Sequence, residues 1–493
     1  MTTIAEEIPE IASYVAGEWH PGPRRSADTN PAHPKETVAN TTLADAALAR
    51  RAVEAARAAF PMWRATLATA RGDFLRKAGD LLDARAEQIG RDLTREEGKT
   101  LDEAVREVRL GANIFRYYAV QALDPDGETY PSGRPNLFLY TKREPLGVVS
   151  VITPWNFPAC IPAWKIAPAL AFGNTVVWKP ADLVPLTAVH IARAVLDAGL
   201  PSGVLNLVLG KGSEVGDTLV THPDVAAVTF TGSNAVGRGL QAKAAASGKR
   251  VQLELGGKNP AIVLQDADLD FAAEQVARGA FLATGQKCTA TSRVIVQRSV
   301  AAEIVDRLRA HAESWTVGDP LDPKTKIGPI VSSAQLDSVL RYLEQARRDG
   351  ARAVAGGERA GGPLGDGYFV KPTVFVDVAP TNPIAREEIF GPVAAVLPVA
   401  SYEDAVALAN DTPYGLSASI FTNDLATAHR FAQDIRAGVV KVNQETSGIE
   451  YHVPFGGVKE SSSGSREQGK AAREFFTESK TVYMNFPAPT ARA

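Results

Sequence analysis

The strongest constraint on the fold is a regular alternation of two kinds of segment between residues 148 and 264. Short runs rich in β-branched residues, separated by stretches with helical spacing of apolar residues, lie at 148–152, 175–178, 205–208 and 227–230. Parallel strands need a long crossover, usually a helix, so the alternation predicts a parallel sheet of βαβ units and an α/β fold class. A second α/β region follows at about 261–456. Since 493 residues are too many for one core, we expect two or three domains.

The flanking segments have simpler patterns. Residues 13–19 predict a hairpin that turns at Gly17, and residues 45–118 predict a long helical tract that is ended by residues 124–127. Residues 137–149 are predicted to be extended chain around a Pro-Leu-Gly turn. Residues 480–486 alternate in polarity as an edge strand does.

Composition limits the partners and the location. Hydrophobic residues make up 45% of the chain and charged residues 22%, and the net charge of −3 comes without a run of one sign. These ordinary values give no support to a nucleic-acid or membrane-surface role. Residues 1–7 are acidic, which argues against a signal peptide, and no apolar stretch is long enough to cross a bilayer. The two cysteines form no disulfide framework, and a free thiol stays reduced most easily in the cytosol, so we expect a cytoplasmic protein.

Two predicted strand ends carry groups suited to a nucleotide, because ligands of open parallel sheets bind at the carboxyl ends of strands. Lys179 and Asp182 follow the second strand and can hydrogen-bond ribose hydroxyls, although a solvated strand end can carry the same residues. The fourth strand runs into a glycine turn at 230–238, where Ser233 can cap the next helix and exposed N–H groups favour a diphosphate. This turn is not the Gly-x-Gly-x-x-Gly fingerprint, and many glycine turns only connect two elements.

A thiol and a carboxylate are candidates for covalent catalysis followed by general-base hydrolysis. Cys288 follows Gly-Gln-Lys, and Glu254 lies in the glycine-rich sequence Leu-Glu-Leu-Gly-Gly-Lys. The alternatives are a buried structural cysteine and a surface acid at a strand end. Asn156, between the prolines of Pro-Trp-Asn-Phe-Pro, either donates to an oxyanion or stabilises its turn.

Residues 154–158, 253–260 and 285–293 together resemble motifs of the aldehyde dehydrogenase superfamily, and the resemblance runs along nearly the whole chain. It implies an aldehyde dehydrogenase-like α/β fold with a Rossmann-like NAD(P) domain, an α/β catalytic domain and a small β oligomerisation arm. The corresponding ranges are 1–126 with 147–256, then 257–456, and 127–146 with 470–493. Related enzymes bridge subunits with such strands, so a homodimer or homotetramer is expected.

The resemblance also implies that NAD or NADP is the cofactor. The positions that match cofactor contacts of the family are Ile152, Thr153, Pro154, Trp155, Lys179, Asp182, Gly212, Gly216, Phe230, Thr231, Gly232, Ser233, Val236, Leu255, Gly256, Glu388 and Phe390. Lys179 and Asp182 fall at the adenosine ribose, Gly232 and Ser233 at the diphosphate, and the last two at the nicotinamide riboside. The carboxylate of Asp182 disfavours a 2′-phosphate by charge, but its short side chain leaves room for one, so the choice of nucleotide stays open.

The implied chemistry is aldehyde oxidation to an acid. The Cys288 thiolate attacks the aldehyde, Asn156 and the backbone N–H of Cys288 bind the oxyanion, and hydride leaves for the nicotinamide. Glu254 then activates the water that hydrolyses the thioester, and Lys165 matches a lysine that assists proton transfer in relatives. A free thiol has a pKa of about 8.5 and needs help to ionise, for which Lys287, nearby amides and the nicotinamide are candidates. None of the seven histidines has a metal-ligand spacing, and no metal is expected.

Three strings, at residues 158–165, 285–293 and 459–469, resemble bacterial α-ketoglutaric semialdehyde (2,5-dioxopentanoate) dehydrogenases. The chain departs from that group at Gly464, where histidine is expected, and at Cys160, which replaces an aliphatic residue. We interpret Cys160 as a small core residue.

The substrate tunnel is expected to include residues 444–452, in which Glu450 and His452 argue against a purely apolar lining. Arg293, five residues after Cys288, is interpreted as structural. Within the enzyme class, the alternative substrates are succinate semialdehyde and general aliphatic or aromatic aldehydes. A CoA-acylating enzyme is less favoured because such enzymes typically lack the base found here at Glu254.

An alternative of another class is a catalytically silent structural or binding protein on the same fold. Such a protein has no reason to keep Cys288, Glu254 and Asn156 together.

Overall fold

The computed structural model describes residues 8–124 and 126–486, and these residues form fifteen α-helices and twenty-one strands in four sheets. Outside the described residues lie Pro125, which belongs to the predicted helix-ending segment, and residues 1–7. The expectation that residues 1–7 are no signal peptide therefore falls outside the described part of the chain. The helices are α1 (Ala46–Ala65), α2 (Ala68–Ala84), α3 (Ala86–Glu97), α4 (Leu101–Gln121), α5 (Cys160–Ala171), α6 (Pro185–Asp197), α7 (Gly212–Thr221), α8 (Asn234–Ala246), α9 (Leu269–Phe281), α10 (Ala301–Ser314), α11 (Ser333–Arg348), α12 (Pro383–Arg386), α13 (Tyr402–Asn410), α14 (Leu425–Asp434) and α15 (Ala472–Phe476). Short 3₁₀ turns lie at Leu282–Gly285, Arg298–Val300, Gly362–Leu364, Lys459–Ser461 and Gly469–Ala471.

The strands are β1 (Glu10–Ile11), β2 (Ser13–Val15), β3 (Glu18–His20), β4 (Arg24–Thr29), β5 (Thr37–Leu43), β6 (Thr129–Tyr130), β7 (Leu137–Pro145), β8 (Val148–Ile152), β9 (Thr175–Lys179), β10 (Leu205–Leu207), β11 (Val225–Thr231), β12 (Arg250–Glu254), β13 (Asn259–Val263), β14 (Thr291–Gln297), β15 (Arg352–Ala355), β16 (Thr373–Val376), β17 (Val393–Val399), β18 (Ser417–Phe421), β19 (Val439–Val442), β20 (Ser462–Ser463) and β21 (Thr477–Asn485).

The first large sheet has the order β20-β12-β11-β8-β9-β10-β2-β3, and β12 through β10 are parallel. The four strands predicted between residues 148 and 230 are confirmed as β8, β9, β10 and β11. Their side chains alternate between two cores, since Val149 and Val151 pack into one hydrophobic cluster while Val148 and Ile152 pack into another. A sheet covered on both faces explains why these strands are apolar along their whole length.

The second large sheet has the order β15-β16-β17-β14-β13-β18-β19 and is parallel except for β15. It follows directly after the first in the chain, because β13 begins five residues after β12 ends. The chain then returns to the first sheet, where β20 pairs antiparallel with β12 through Leu253 and Glu254. This return brings residues 455–467 close to the end of β12.

The predicted helical tract is four helices, α1 to α4, and its breaks have local causes. Asp45 caps α1 by accepting from the backbone N–H of Leu48, and α3 ends at Gly98 in a left-handed conformation. Thr100 and Glu103 then form a reciprocal capping box that starts α4. The predicted hairpin is confirmed as β2 and β3, with Ala16 and Gly17 both at positive φ in the two-residue turn.

A third sheet, β21-β7-β6, stands apart from the two large ones, and a fourth consists of β1, β5 and β4. β7 and β21 pair antiparallel over nine residues each, and β21 is an edge strand as predicted. The predicted extended segment 137–149 is divided, because β7 ends at Pro145 and Val148 already belongs to the first sheet. Within residues 8–124 and 126–486, no helix is long and apolar enough to cross a membrane.

Candidate active site

Cys288 lies in the wall of a cavity of about 330 Å³, together with Glu254. It follows α9 through the 3₁₀ turn Leu282–Gly285, in which Ala283 and Thr284 have φ values of 52° and 54°. Gly285 is required in this turn, since its φ is 65° and a Cβ there would lie 2.2 Å from the carbonyl oxygen of Gly391. Left-handed residues of this kind are costly and concentrate at functional sites.

The Cys288 thiol is held in its protonated form. Burial and the nearby carboxylates of Glu388 and Glu254 raise its pKa to about 12, while backbone N–H groups of Thr289 and of Cys288 itself act in the opposite direction. Lys287, one of the predicted sources of help, uses its ammonium elsewhere: Nζ donates to the carbonyl oxygen of Arg278 at 3.1 Å and to Oγ of Ser447 at 3.0 Å. The charge of Lys287 nevertheless interacts favourably with the Cys288 thiolate, so both Lys287 and the backbone amides are placed to lower this pKa.

Asn156 is buried beside the loop that carries the thiol. Its Nδ2 donates to the carbonyl oxygen of Gln286 at 3.0 Å, two residues before Cys288. An amide nitrogen has two hydrogens, so this bond fixes the side chain and leaves the second hydrogen for another acceptor. The turn-stabilising and the oxyanion-binding interpretations of Asn156 are therefore compatible.

A buried ion pair that the sequence analysis missed holds the loop of Asn156 in place. Nζ of Lys99 donates to the backbone carbonyl of Asn156 at 2.6 Å and to Oε2 of Glu107 at 2.5 Å. The other oxygen of Glu107 accepts from the backbone N–H groups of Ala159 and Cys160, at 2.8 Å and 3.2 Å. Both charged side chains are almost completely buried. We call this arrangement the Lys99–Glu107 clamp; its signal in the sequence is only the i and i+8 spacing of two ordinary charged residues.

Glu254 ends β12 and points into the same cavity. Its Oε2 accepts from Oγ of Ser462 at 2.6 Å, and its buried Oε1 has no protein partner among the described residues. Burial raises its pKa well above the ordinary value, and the nearby carboxylate of Glu467 raises it further. The predicted burial of Glu254 is present, and the charge of Glu467 is a second cause of the raised pKa that the sequence did not indicate.

Lys165 is fully buried on α5, and its ammonium binds Glu467 as well as Oγ1 of Thr229, the latter at 2.8 Å. Glu467 also accepts from Nε1 of Trp164 at 2.9 Å and lines the cavity. The sequence analysis quoted residues 459–469 only for a resemblance and gave Glu467 no role. Glu467 and Lys165 are 302 residues apart in the sequence, so no local pattern predicts that they interact.

The first predicted nucleotide contact is an ion pair at the end of β9. Nζ of Lys179 donates to Oδ1 of Asp182 at 2.9 Å and to the carbonyl oxygen of Pro180 at 2.7 Å. Lys179 is buried while Asp182 is exposed. Asp182 and Lys211 line the same small surface depression, so this depression contains a carboxylate and a cation.

The second predicted contact, the turn after β11, has the expected strand–turn–helix form. Ser233 occupies the N-cap position of α8, but its side chain makes no capping hydrogen bond, so the predicted capping is wrong. The N-terminal N–H groups of α8 therefore keep their donors for another acceptor. Asn234, which the sequence analysis did not single out, instead joins this turn to the end of β12 by accepting from the N–H of Gly256 at 3.0 Å.

Glu388 and Phe390 come from the second sheet's side of the molecule. Oε1 of Glu388 accepts from the N–H of Gly257 at 3.0 Å, and burial raises its pKa to about 7. Gly256 permits this approach, since a Cβ there would lie 2.1 Å from Oε2 of Glu388. Phe390, at a φ of 57°, makes an edge-on contact with Trp155 at a centroid distance of 5.3 Å.

The other predicted cofactor positions lie on or directly beside β8, α7, β11, α8 and β12. Ile152 pairs in register with Lys179, Thr153 accepts from Nε1 of Trp178 at 2.9 Å, and α7 begins at Gly212. A Cβ at Gly216 would meet nothing within 4 Å, and Val236 is exposed on α8. The remaining predicted positions, Pro154, Phe230, Thr231, Gly232 and Leu255, follow or end β8, β11 and β12. The exposed carboxylate of Asp182, the uncapped N-terminus of α8 and the buried carboxylate of Glu388 together fit the predicted dinucleotide site.

The predictions for the tunnel are partly revised. Glu445, Ser447, Gly448 and Ile449 of the segment 444–452 line the cavity. Glu450 and His452, expected to give the lining its polarity, instead form an exposed pair at 3.8 Å outside that lining. The polar residues that this segment contributes to the cavity lining are Glu445 and Ser447 instead of Glu450 and His452.

Arg293 and Cys160 have the roles expected of them. Arg293 is 1% exposed and donates to the carbonyl oxygens of Lys258, Leu408 and Ala409, which is a structural role. Cys160 is 2% exposed in the core, and its thiol donates to the carbonyl oxygen of Glu107 at 3.3 Å. In the described part of the chain, no group of three or more His, Cys, Asp or Glu side chains is placed to hold a metal ion.

Comparison with known proteins agrees with the family that the sequence motifs resemble. The model of the aldehyde dehydrogenase family matches residues 19–482. An α-ketoglutaric semialdehyde dehydrogenase of Bacillus subtilis (strain 168) is 46% identical over 489 residues, which cover 98% of this chain and 100% of the relative. An α-ketoglutarate semialdehyde dehydrogenase of Haloferax volcanii is 48% identical over 481 residues, 96% of this chain and 99% of the relative.

The fold of a solved structure is also closely similar. A betaine aldehyde dehydrogenase from Staphylococcus aureus in complex with NAD+ superposes with a TM-score of 0.94 at 35% identity, over 97% of this chain and 95% of that one. The resemblance drawn from the three motifs, and the fold that it implied, are confirmed.

Proposed function

The chain belongs to the aldehyde dehydrogenase family, and we propose that its substrate is α-ketoglutaric semialdehyde, which it oxidises to the dicarboxylic acid. The observation that supports this substrate is the charge of one cavity wall. Arg278 and Lys287 line it, and Lys441 interacts electrostatically with Lys287. Two carboxylates of the lining, Glu445 and Glu103, act on Lys287 in the opposite sense. A cationic wall favours an aldehyde that carries a carboxylate. The Bacillus and Haloferax relatives bear the name of this activity.

The first half-reaction assigns the nucleophile to Cys288. Its thiol loses a proton, with Glu254 as the nearby carboxylate that can take it, and the sulfur bonds to the aldehyde carbon. The second hydrogen of Asn156 Nδ2 and the backbone N–H of Cys288 stabilise the resulting oxyanion. NAD(P), when bound, would supply the hydride acceptor for this step, and Cys288 would then carry the acyl group as a thioester. Lys179, Asp182, the N-terminus of α8 and Glu388 are the groups that would hold that cofactor.

The second half-reaction assigns the base to Glu254. Glu254 first releases to solvent the proton that it took from the thiol. Its Oε1, which has no partner among the described residues, can then accept a proton from the water that attacks the thioester. The acid leaves and the Cys288 thiol re-forms. Lys165 does not touch the reacting atoms in this scheme; it binds Glu467, whose charge raises the pKa of Glu254. It therefore positions Glu467, and its own charge lowers the pKa of Glu254 in opposition to Glu467.

Betaine aldehyde is the second candidate, since the cavity contains the aromatic rings of Phe157, Trp164 and Phe455 and the Staphylococcus protein bears that name. Aromatic faces can bind a quaternary ammonium by cation–π attraction. One of these faces is already occupied, because Nζ of Lys99 lies 4.3 Å from the centroid of Phe157. The cationic wall also repels a cationic substrate, so the anionic semialdehyde is favoured.

Two further features belong to the same proposal. We infer that NAD and NADP are both accepted, since the carboxylate of Asp182 opposes a 2′-phosphate while Lys211 in the same depression attracts one. We also infer a homodimer or homotetramer through the third sheet, where the edge strand β21 exposes Tyr483 and Met484. Light scattering that gives the chain mass at all concentrations would contradict the assembly.

The experiment that tests the substrate is a comparison of kcat/KM for α-ketoglutaric semialdehyde, succinic semialdehyde, betaine aldehyde and pentanal, with each nucleotide. We expect a preference for the two anionic aldehydes and no turnover by Cys288→Ala. A preference for betaine aldehyde or pentanal would discard the substrate while keeping the chemistry. A wild-type chain without any turnover, whose Cys288 is inert to thiol reagents, would favour the structural alternative.

A further inference from the structure

One wall of the cavity brings several cations together around the carboxylate of Glu445. Nε of Arg278 lies 3.9 Å from Oε1 of Glu445, and Nζ of Lys287 lies 3.9 Å from Oε2. Glu445 also accepts from Oγ of Ser447 at 2.5 Å. Its charge is therefore shared among several donors. The carboxylate of Glu103, which also lines the cavity, acts on Lys287 as well.

The hydrogen bonds of these cations differ. Lys287 donates to the carbonyl oxygen of Arg278 and to Ser447, and Lys441 donates to the carbonyl oxygens of Ser447 and Gly448. The guanidinium of Arg278 has no hydrogen-bond acceptor in the part of the chain that the structure describes, and its approach to Glu445 is too long for one. Its side chain is 44% exposed and lines the cavity, so its donors face the space that a substrate enters.

The other cations of the cavity are already engaged. Lys99 is held in the Lys99–Glu107 clamp, and Arg106 pairs with Asp102 one turn away on α4. Arg278 is thus the cavity cation with an unused planar fork of donors, which is the geometry that binds a carboxylate through two parallel hydrogen bonds.

The position of Arg278 in the fold suits a substrate of five carbons. It lies in the last turn of α9, and the 3₁₀ turn that follows leads directly to Cys288. In α-ketoglutaric semialdehyde the carboxylate carbon is four bonds from the aldehyde carbon, an extended reach of roughly 5 Å. Both ends of such a molecule can therefore contact the same cavity wall.

We propose that Arg278 is the specificity-determining residue that binds the distal carboxylate of the semialdehyde substrate, an inference that rests on the proposed function. Glu445 holds the empty guanidinium in place from 3.9 Å without using its donors. When the substrate binds, its carboxylate accepts two hydrogen bonds from the Arg278 guanidinium, which donates none to Glu445. The keto group and the methylene carbons then lie between Arg278 and the thiol.

The test compares Arg278→Gln, Arg278→Lys and Arg106→Gln with the wild-type enzyme on α-ketoglutaric semialdehyde and on pentanal, an aldehyde of equal length without the carboxylate. Since hydrogen bonds to charged groups contribute about 1.5–3 kcal/mol, Arg278→Gln should lower kcat/KM for the semialdehyde by roughly 10- to 150-fold. Turnover of pentanal should change by less than about threefold, which also shows that the variant is folded. Arg278→Lys should be intermediate, and Arg106→Gln, whose arginine is already paired, should behave as the wild type does.

The outcomes separate this inference from the proposed function. If the wild type prefers the semialdehyde and Arg278→Gln keeps that preference, Arg278 is not the carboxylate partner although the substrate stands. An equal loss on both aldehydes in Arg278→Gln would likewise overturn the inference, because it would indicate a structural effect. If the wild-type enzyme has no preference for the semialdehyde, the proposed function fails first and this inference fails with it.

Discussion

Replacing Lys99 by methionine is expected to destabilise the fold and to slow the enzyme, because it breaks the Lys99–Glu107 clamp. Methionine has a similar length and fits the same core, so the main change is the loss of the ammonium. Glu107 would then be a buried carboxylate whose remaining partners are two backbone N–H groups. The carbonyl oxygen of Asn156 would lose its 2.6 Å hydrogen bond at the same time.

The magnitude follows from burial. Both members of the pair are 3% exposed or less at the side chain, and breaking a buried pair by removing one partner typically costs about 3–5 kcal/mol. An exposed pair is worth far less, about 0–1 kcal/mol. Lys35 and Asp366 form such a pair at 3.3 Å with side chains 92% and 87% exposed, so Lys35→Met is the matched control.

The assay is urea unfolding followed by tryptophan fluorescence, with initial rates measured on the same preparations. Lys99→Met should unfold at clearly lower urea than Lys35→Met. Lys99→Met/Glu107→Gln should recover part of the loss, because a neutral amide needs no counter-ion, whereas the buried carboxylate of Glu97, 3.9 Å from Nζ of Lys99, still lacks one. The rate of Lys99→Met should fall by no more than the roughly 10²–10³-fold that losing an oxyanion donor costs. If Lys99→Met is as stable as Lys35→Met, or if the double variant is no more stable than the single one, the clamp does not act as the geometry indicates.

Four further predictions follow from the same structure. Glu254→Gln should keep a first-turnover burst of reduced nicotinamide and lose steady-state turnover, whereas Cys288→Ala should lose both; normal turnover of Glu254→Gln in stopped-flow would refute the base assignment. Since burial and Glu467 raise the pKa of Glu254, and the base must be ionised, the deacylation rate should rise with pH through that pKa. Glu467→Gln removes the negative neighbour and should move this rising limb to lower pH, so an unshifted profile would speak against the coupling. Gly464→His should destabilise the fold by about 1–3 kcal/mol in urea, because Gly464 has a φ of 91° and a Cβ there would lie 2.5 Å from the carbonyl oxygen of Val251; an unchanged midpoint would contradict this. Asp182→Ala should raise the NADP-to-NAD ratio of kcat/KM by roughly 2- to 5-fold, as expected for one exposed charge, and an unchanged ratio would remove Asp182 from nucleotide selection.

Local patterns in the sequence were sufficient for the framework of the fold. The alternation of β-branched runs and helices identified β8 to β11, because side-chain periodicity is set by the backbone and survives in a single sequence. The same holds for the hairpin at Ala16 and Gly17 and for the edge strand β21. The motif resemblances identified Cys288, Glu254 and Asn156 as neighbours of one site and Arg293 as structural.

Contacts between distant segments were decided only by the tertiary structure. Glu467 meets Lys165 across 302 residues, and Lys99 reaches the carbonyl oxygen of Asn156 across 57, so neither pairing leaves a periodic signal. The inward turn of Glu445 in place of Glu450, and the free donors of Arg278, likewise depend on how the second sheet packs against the return of the chain to β12. A sequence determines which residues can form a helix, a strand or a turn, because those choices depend on near neighbours. Burial, charge pairing and the pKa of a carboxylate depend on residues that only the complete fold brings together.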